Sequence, residues 1–175
     1  MKNKILLFAI LIFISSIAIS AQATGPEETV KAFYKYSNAR SSTFNSRHIE
    51  SRKTWYTPTL YKAFLAQLRE DRAYLKKNPT DKPYFGDGLD FKPLDEPCEA
   101  NGKSYRRSLG ISRRDIKKTR AYIDVKFAYP KVCNIEPESY RVNLQKISGK
   151  WLISDWTYSD GSSLTRDMGK KNYSE

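Results

Sequence analysis

Histidine is almost missing from this chain: His48 is the only one among 175 residues. Any His–carboxylate dyad must therefore use His48. It lies in the polar stretch Ser46-Arg47-His48-Ile49-Glu50, where it reads as a surface side chain. Cysteine is nearly as scarce. Cys98 and Cys133, with one histidine, cannot complete a four-ligand zinc site without carboxylates. There is no G-x-S-x-G elbow, no P-loop and no dinucleotide fingerprint, so serine-nucleophile and nucleotide-phosphate chemistry have no motif to rest on. Asp87-Gly88-Leu89-Asp90 sets carboxylates beside glycines but lacks the ligand spacing of a calcium loop and reads as a turn. Repeats and low-complexity segments are absent as well. On these grounds no catalytic residue, metal or cofactor is assigned.

Acidic residues are the minority, 19 against 31 Lys and Arg, for a formal net charge of +12. A long apolar run occurs only at the start. Residues 1–23 read MKNKILLFAILIFISSIAISAQA: a positive segment at Lys2 and Lys4, an apolar stretch, and a small-x-small site at Ala21-Gln22-Ala23. These are the parts of a signal peptide, with cleavage expected near Ala23 and a periplasmic or extracellular destination. Residues 24–175 then form one domain of ordinary size. The leader holds two of the excess positive charges and no acid, so the remainder stays strongly basic. Its expected partners are anionic surfaces of the envelope or an envelope protein, rather than nucleic acid, which an exported protein rarely meets. An exported chain with two cysteines is a disulfide candidate. Pairing Cys98 with Cys133 closes a loop of about 35 residues, for which chain entropy gives roughly 3–4 kcal/mol.

Along the chain, helical signals come first. Pro26 with Glu27 and Glu28 opens a helix carrying Val30, Phe33, Tyr34 and Ser37 at helical spacing, predicted to run to about Arg40. Thr57-Pro58 marks a second start, cap then first-turn proline, and Leu60, Phe64, Leu68 and Leu75 carry that helix to about Lys77. Residues 48–56 are read as a shorter helix leading into it. Residues 79–102 contain four prolines and three glycines and are predicted to be an irregular loop, tied down at Cys98. The period then changes. Ala121, Ile123, Val125 and Phe127 alternate with polar neighbours, the strongest strand signal in the chain. Residues 104–112 are the predicted hairpin partner, joined through 113–118. Tyr140, Val142 and Leu144 mark a third strand and residues 150–158 a fourth, after a turn at Ser148-Gly149. Helices followed by a meander define an α+β fold, with the helices laid on one face of a curved antiparallel sheet of about four strands.

Two places can carry function. Arg106, Arg107, Arg113, Arg114, Lys117 and Lys118, with Arg120 beyond, gather around one predicted hairpin as a candidate anion-binding patch; the same charges would also protect a sheet edge. The other place is Asp155, inside the strand Trp151-Leu152-Ile153-Ser154-Asp155-Trp156. If Ser148-Gly149 is a two-residue loop, Ile147 pairs with Lys150, Leu144 with Ile153, Val142 with Asp155 and Tyr140 with Thr157. Asp155 then faces inward with Trp151, Ile153 and Tyr140, as a candidate pocket. If a three-residue loop with a bulge forms instead, the parity flips, and Leu152 and Trp156 point inward. The two-residue register is adopted as the expectation. An inward carboxylate is structural if paired and a candidate general base if not.

Four short stretches, Val30-Lys31-Ala32-Phe33-Tyr34, Thr57-Pro58-Thr59-Leu60, Asp90-Phe91-Lys92-Pro93-Leu94 and Gly149-Lys150-Trp151-Leu152-Ile153, occur in an order that resembles a family of exported bacterial proteins of unknown function, the DUF-type 3828 domain. That family is similar to the nuclear-transport-factor-two-like, or cystatin-like, superfamily. The resemblance spans about residues 27–164 and implies a cone of helices on a curved sheet with a pocket. It implies no reaction, because that superfamily includes isomerases, dehydratases, ligand binders and structural modules. The expected function is an exported, non-catalytic envelope binding module, monomeric or homodimeric, with a small-ligand pocket or an anionic or protein partner. The alternatives are a pocket isomerase or dehydratase using Asp155, and an inhibitor or immunity-type protein.

Overall fold

A computed structural model of the chain describes residues 25–40, 44–81 and 97–168. The leader and the Asp87–Asp90 turn lie outside the described residues. Helix α1 (Pro26–Asn38) starts at its proline, and Lys31 donates to Glu27 one turn earlier at 2.6 Å. Its buried stripe is Thr29, Val30, Phe33, Tyr34 and Ser37. Helix α2 (Ser46–Ser51) is capped by the Asn45 side chain, which accepts the His48 N–H. A 3-10 turn (Lys53–Trp55) leads to α3 (Pro58–Lys77), where Thr57 Oγ1 accepts the Leu60 N–H as the Thr-Pro start predicts.

Strands β3 (Ser108–Ile116), β4 (Arg120–Ala128), β5 (Glu138–Ile147) and β6 (Lys150–Thr157) form an antiparallel meander in sequence order. The fold is α+β, helices first and sheet second. Helices α1 and α3 pack on one face, where Ala121, Ile123, Val125 and Phe127 of β4 meet Val142 and Leu144 of β5. The short helix α4 (Leu164–Met168) sits beside β6 and α3. The Thr57 N–H donates to Ile153 O at 2.8 Å, which ties the entrance of α3 to the edge of β6.

Two boundaries differ from the expectation. Residues 113–116 are strand, not connection: β3 pairs with β4 through Ile116↔Ala121, leaving only 117–119 as the turn. The expectation of irregular chain up to Gly102 also fails near its end. Strands β1 (Cys98–Ala100) and β2 (Lys103–Tyr105) form a hairpin around Asn101-Gly102, both at positive φ, the turn chemistry that a two-residue hairpin demands. A disulfide joins Cys98 to Cys133 in a 3-10 turn (Lys131–Cys133), with Cα atoms 6.1 Å apart.

The register of β6 combines the two alternatives left open by the sequence. Ser148 and Gly149, both at positive φ, make a two-residue turn, and Ile147 pairs with Lys150 and Leu144 with Ile153, as expected. Ser154 is then an extra residue. Asn143 pairs with Asp155 and Val142 with Trp156, so the expected pairs Val142–Asp155 and Tyr140–Thr157 do not form. A bulge takes one strand out of step with its partner, and so exchanges inward and outward positions beyond it. Trp151 and Ile153 point to the helices before the bulge, and Trp156, only 2% exposed, does so after it. This is why large apolar residues occupy both odd and even positions of β6.

Candidate functional site

Asp155 does not face the core. Opposite Asn143, its carboxylate turns toward α4. Oδ1 accepts the N–H of Trp156 at 2.8 Å and of Thr165 at 3.1 Å, and Oδ2 accepts the Thr165 hydroxyl at 2.6 Å. It is a paired, structural carboxylate that fastens the first turn of α4 to β6. Of its expected companions, Ile153 is fully buried and Trp151 is core, while Tyr140 is half-buried and donates to Glu138 at 2.8 Å. Trp151, Ile153 and Tyr140 thus lie in or against the core, while Asp155 is turned to Thr165 of α4.

Aromatic rings occupy the space where helices meet sheet. Phe33 lies 5.8 Å from Trp156 and 6.0 Å from Tyr56, measured between ring centroids. The Trp156 indole N–H donates to the Tyr34 hydroxyl at 3.0 Å. Burial pushes the Tyr56 phenol far above its ordinary value. His48 is not the surface residue expected: it is 4% exposed, packed beside Phe44. Arg52 is a residue that sequence reasoning missed. It is 1% exposed, and its guanidinium donates to Ser37 Oγ, His48 O and Ser51 Oγ, linking α1 to α2. Burial pushes its pKa down. No periodicity in Glu50-Ser51-Arg52-Lys53 marks it as interior.

The basic residues predicted to act together are dispersed. Arg107 is mostly buried, bonds Glu138 at 3.2 Å and lies over the Tyr129 ring. Arg106 is exposed just before β3. Arg113 and Arg114 belong to β3, and Arg114 pairs with Glu27 of α1, pulling that carboxyl down to about 2. Only Lys117 and Lys118 occupy the β3–β4 turn. By strand rise, Arg107 is about 30 Å from that turn.

The fold supplies different neighbours for them. Arg120 pairs with Gln145, so the β3–β4 turn and the β5–β6 turn sit at the same end of the sheet. Lys146, whose N–H donates to Thr119 O, and Lys150 thereby join Lys117, Lys118 and Arg120. All five side chains are exposed, and Ile116 beside them is 51% exposed. Lys146 and Lys150 lie about thirty residues downstream of the other three, which is why the pattern is invisible in the linear sequence. The arrangement can hold phosphate or carboxylate groups as point charges and lay one apolar side chain against an interface.

Comparison of the chain with protein-family models, curated proteins and solved structures finds no match.

Proposed function

We propose that this chain is an exported, non-catalytic binding module of the bacterial envelope, and that it docks on phosphate-bearing anionic surfaces through the tip of its sheet. The observation that carries this reading is the convergence of Lys117, Lys118, Arg120, Lys146 and Lys150 around exposed Ile116. Near an anionic surface each such cation contributes about 1 kcal/mol, so five give at most about 5 kcal/mol, a reversible peripheral attachment. Export is supported by the disulfide and by the leader pattern. Among the described residues no helix is long and apolar enough to cross a membrane. The resemblance to the DUF-type 3828 family rests on the four short sequence stretches alone. Asp155, held by three hydrogen bonds, is given no chemical step.

Co-sedimentation tests the reading. Vesicles containing phosphatidylglycerol are expected to bind the protein and pure phosphatidylcholine vesicles are not. Binding should fade as salt shortens the Debye length from about 10 Å to about 3 Å. Soluble poly(glycerol phosphate) competing as well as lipid would place the source in wall polymer rather than membrane. Substituting Lys117, Lys118 and Lys146 by Gln should abolish both; retained binding would sink the proposal.

A further inference from the structure

We propose that the solvent face of the sheet is a second binding site, sharing only Lys117 with the tip, for an uncharged polyhydroxylated ligand such as a glycan strand or its oligosaccharide fragment. Two troughs open on that face, away from the helices. One has a volume of about 300 Å³ and includes Asp115, Lys117 and Tyr122 in its lining; the other, of about 380 Å³, includes Ser139, Thr157 and Tyr158. Both are also lined by Asp124 and Arg141, so they meet along that pair. Each lies at the lower end of the size range of small-ligand sites, room for one or two sugar rings.

The fold makes the walls. Asp124 and Arg141 are direct cross-strand partners on β4 and β5. On one side the bulge at Ser112 interrupts the β3 ladder, and Ser112 Oγ donates to Asp124 O at 3.2 Å. On the other side the chain leaves β6 through a turn in which the Gly161 N–H donates to Tyr158 O.

Charge decides the ligand class. The protein is strongly basic, yet among the described side chains that line these troughs Asp115 stands against Lys117 and Asp124 against Arg141. An anion would meet the Asp124 carboxylate in either trough and a cation would meet Arg141. A neutral ligand whose hydroxyls both donate and accept suits both. Arg141 grips Asp124 through Nε at 2.7 Å and Nη2 at 3.1 Å, a forked pair that also raises the arginine pKa. A guanidinium has five N–H donors and a carboxylate about four acceptor sites, so capacity remains on both after that grip. The side chains are 42% and 24% exposed, which leaves that capacity within reach of solvent. Tyr122 lines the smaller trough from the same face of the sheet as Asp124 and Arg141. Aromatic faces are the usual complement to the C–H face of an amphipathic ring.

The test is a nuclear magnetic resonance titration of the exported, disulfide-bonded protein with two uncharged probes, chitotetraose and cellotetraose, and with inorganic phosphate as the charged control. At least one tetrasaccharide should shift the amides of Asp124, Ser139, Arg141 and Thr157 saturably, with little salt dependence. Arg141→Met should weaken that binding about tenfold or more, the loss of a charge-assisted contact. Ser139→Trp blocks the trough from an exposed position and should abolish binding while leaving the core amides in place. The proposal fails if neither tetrasaccharide shifts these amides at millimolar concentration, if phosphate shifts them instead, or if Ser139→Trp binds as well as the parent. Arg141→Met and Ser139→Trp leave the five cations of the tip in place, so vesicle docking should persist in both variants and is judged separately.

Discussion

Replacing Asp155 tests whether its carboxylate is a strut rather than a reagent. It holds three hydrogen bonds, one to the next residue of β6 and two to Thr165, ten residues on. Truncating a side chain that caps a helix start costs about 0.5–2 kcal/mol, and the bond to the Trp156 N–H adds about 1 kcal/mol. Asp155→Ala should therefore cost about 2–3 kcal/mol. With a urea m-value of about 2 kcal/mol/M, the unfolding midpoint falls by about 1–1.5 M. Asp155→Asn keeps an acceptor for both backbone N–H groups, and the threonine hydroxyl can reorient, so it should cost about 1 kcal/mol or less. The loss should be local before it is global: the Thr165 amide, exchanging slowly in the parent, should exchange much faster in Asp155→Ala while the Val142 and Leu144 amides stay protected. An Asp155→Ala protein with an unchanged midpoint and unchanged Thr165 exchange would refute this account of α4.

Trp156→Ala should cost about 3–5 kcal/mol in urea denaturation, because a fully buried ring is lost beside Phe33 and Tyr56. Leu152→Ala, on the other face of the strand, should cost clearly less; equal losses would mean that the bulge at Ser154 does not set the inward row. Glu27 should titrate near 2 rather than at its ordinary 4.5, chiefly because Arg114 donates to it and Lys31 assists. A depressed carboxylate contributes stability above its unfolded pKa and loses it as pH falls through the folded one, so the α1–β3 contact should weaken between about pH 4.5 and 2. Carbon-13 titration of the carboxyl should show Arg114→Ala moving Glu27 upward; no movement would remove Arg114 as the cause.

Much of this fold could be read from spacing alone. Thr57-Pro58 marks the start of α3 because cap and first-turn proline are local chemistry, and Ala121 to Phe127 mark β4 because alternation is enforced by one buried face. Asn101-Gly102 was equally local, but the prolines before it favoured the reading of an irregular segment. The bulge at Ser154 was not readable, because serine carries no signal of being skipped by a partner strand; only the odd-and-even apolar pattern of β6 hinted that one register could not bury it all. The functional surfaces were the least legible. The cationic tip joins residues from two turns, and the Asp124–Arg141 pair joins two strands, so both exist only once the meander has set its register. Linear clustering instead pointed to Arg106 through Lys118, which an extended strand spreads along its length.

The Cys98–Cys133 bond has a consequence for the order of events during folding. Between the two residues lies the whole β3–β4 hairpin, with Ser108 opposite Ala128. As a flexible coil, a sequence separation of 35 would hold the thiols roughly 30 Å apart on average, at a low local concentration of one around the other. Once the hairpin zips, only its short flanks separate them, and the native Cα distance of 6.1 Å is within reach. Oxidation therefore follows strand pairing rather than guiding it, and the covalent bond becomes a chemical record that this part of the sheet has closed.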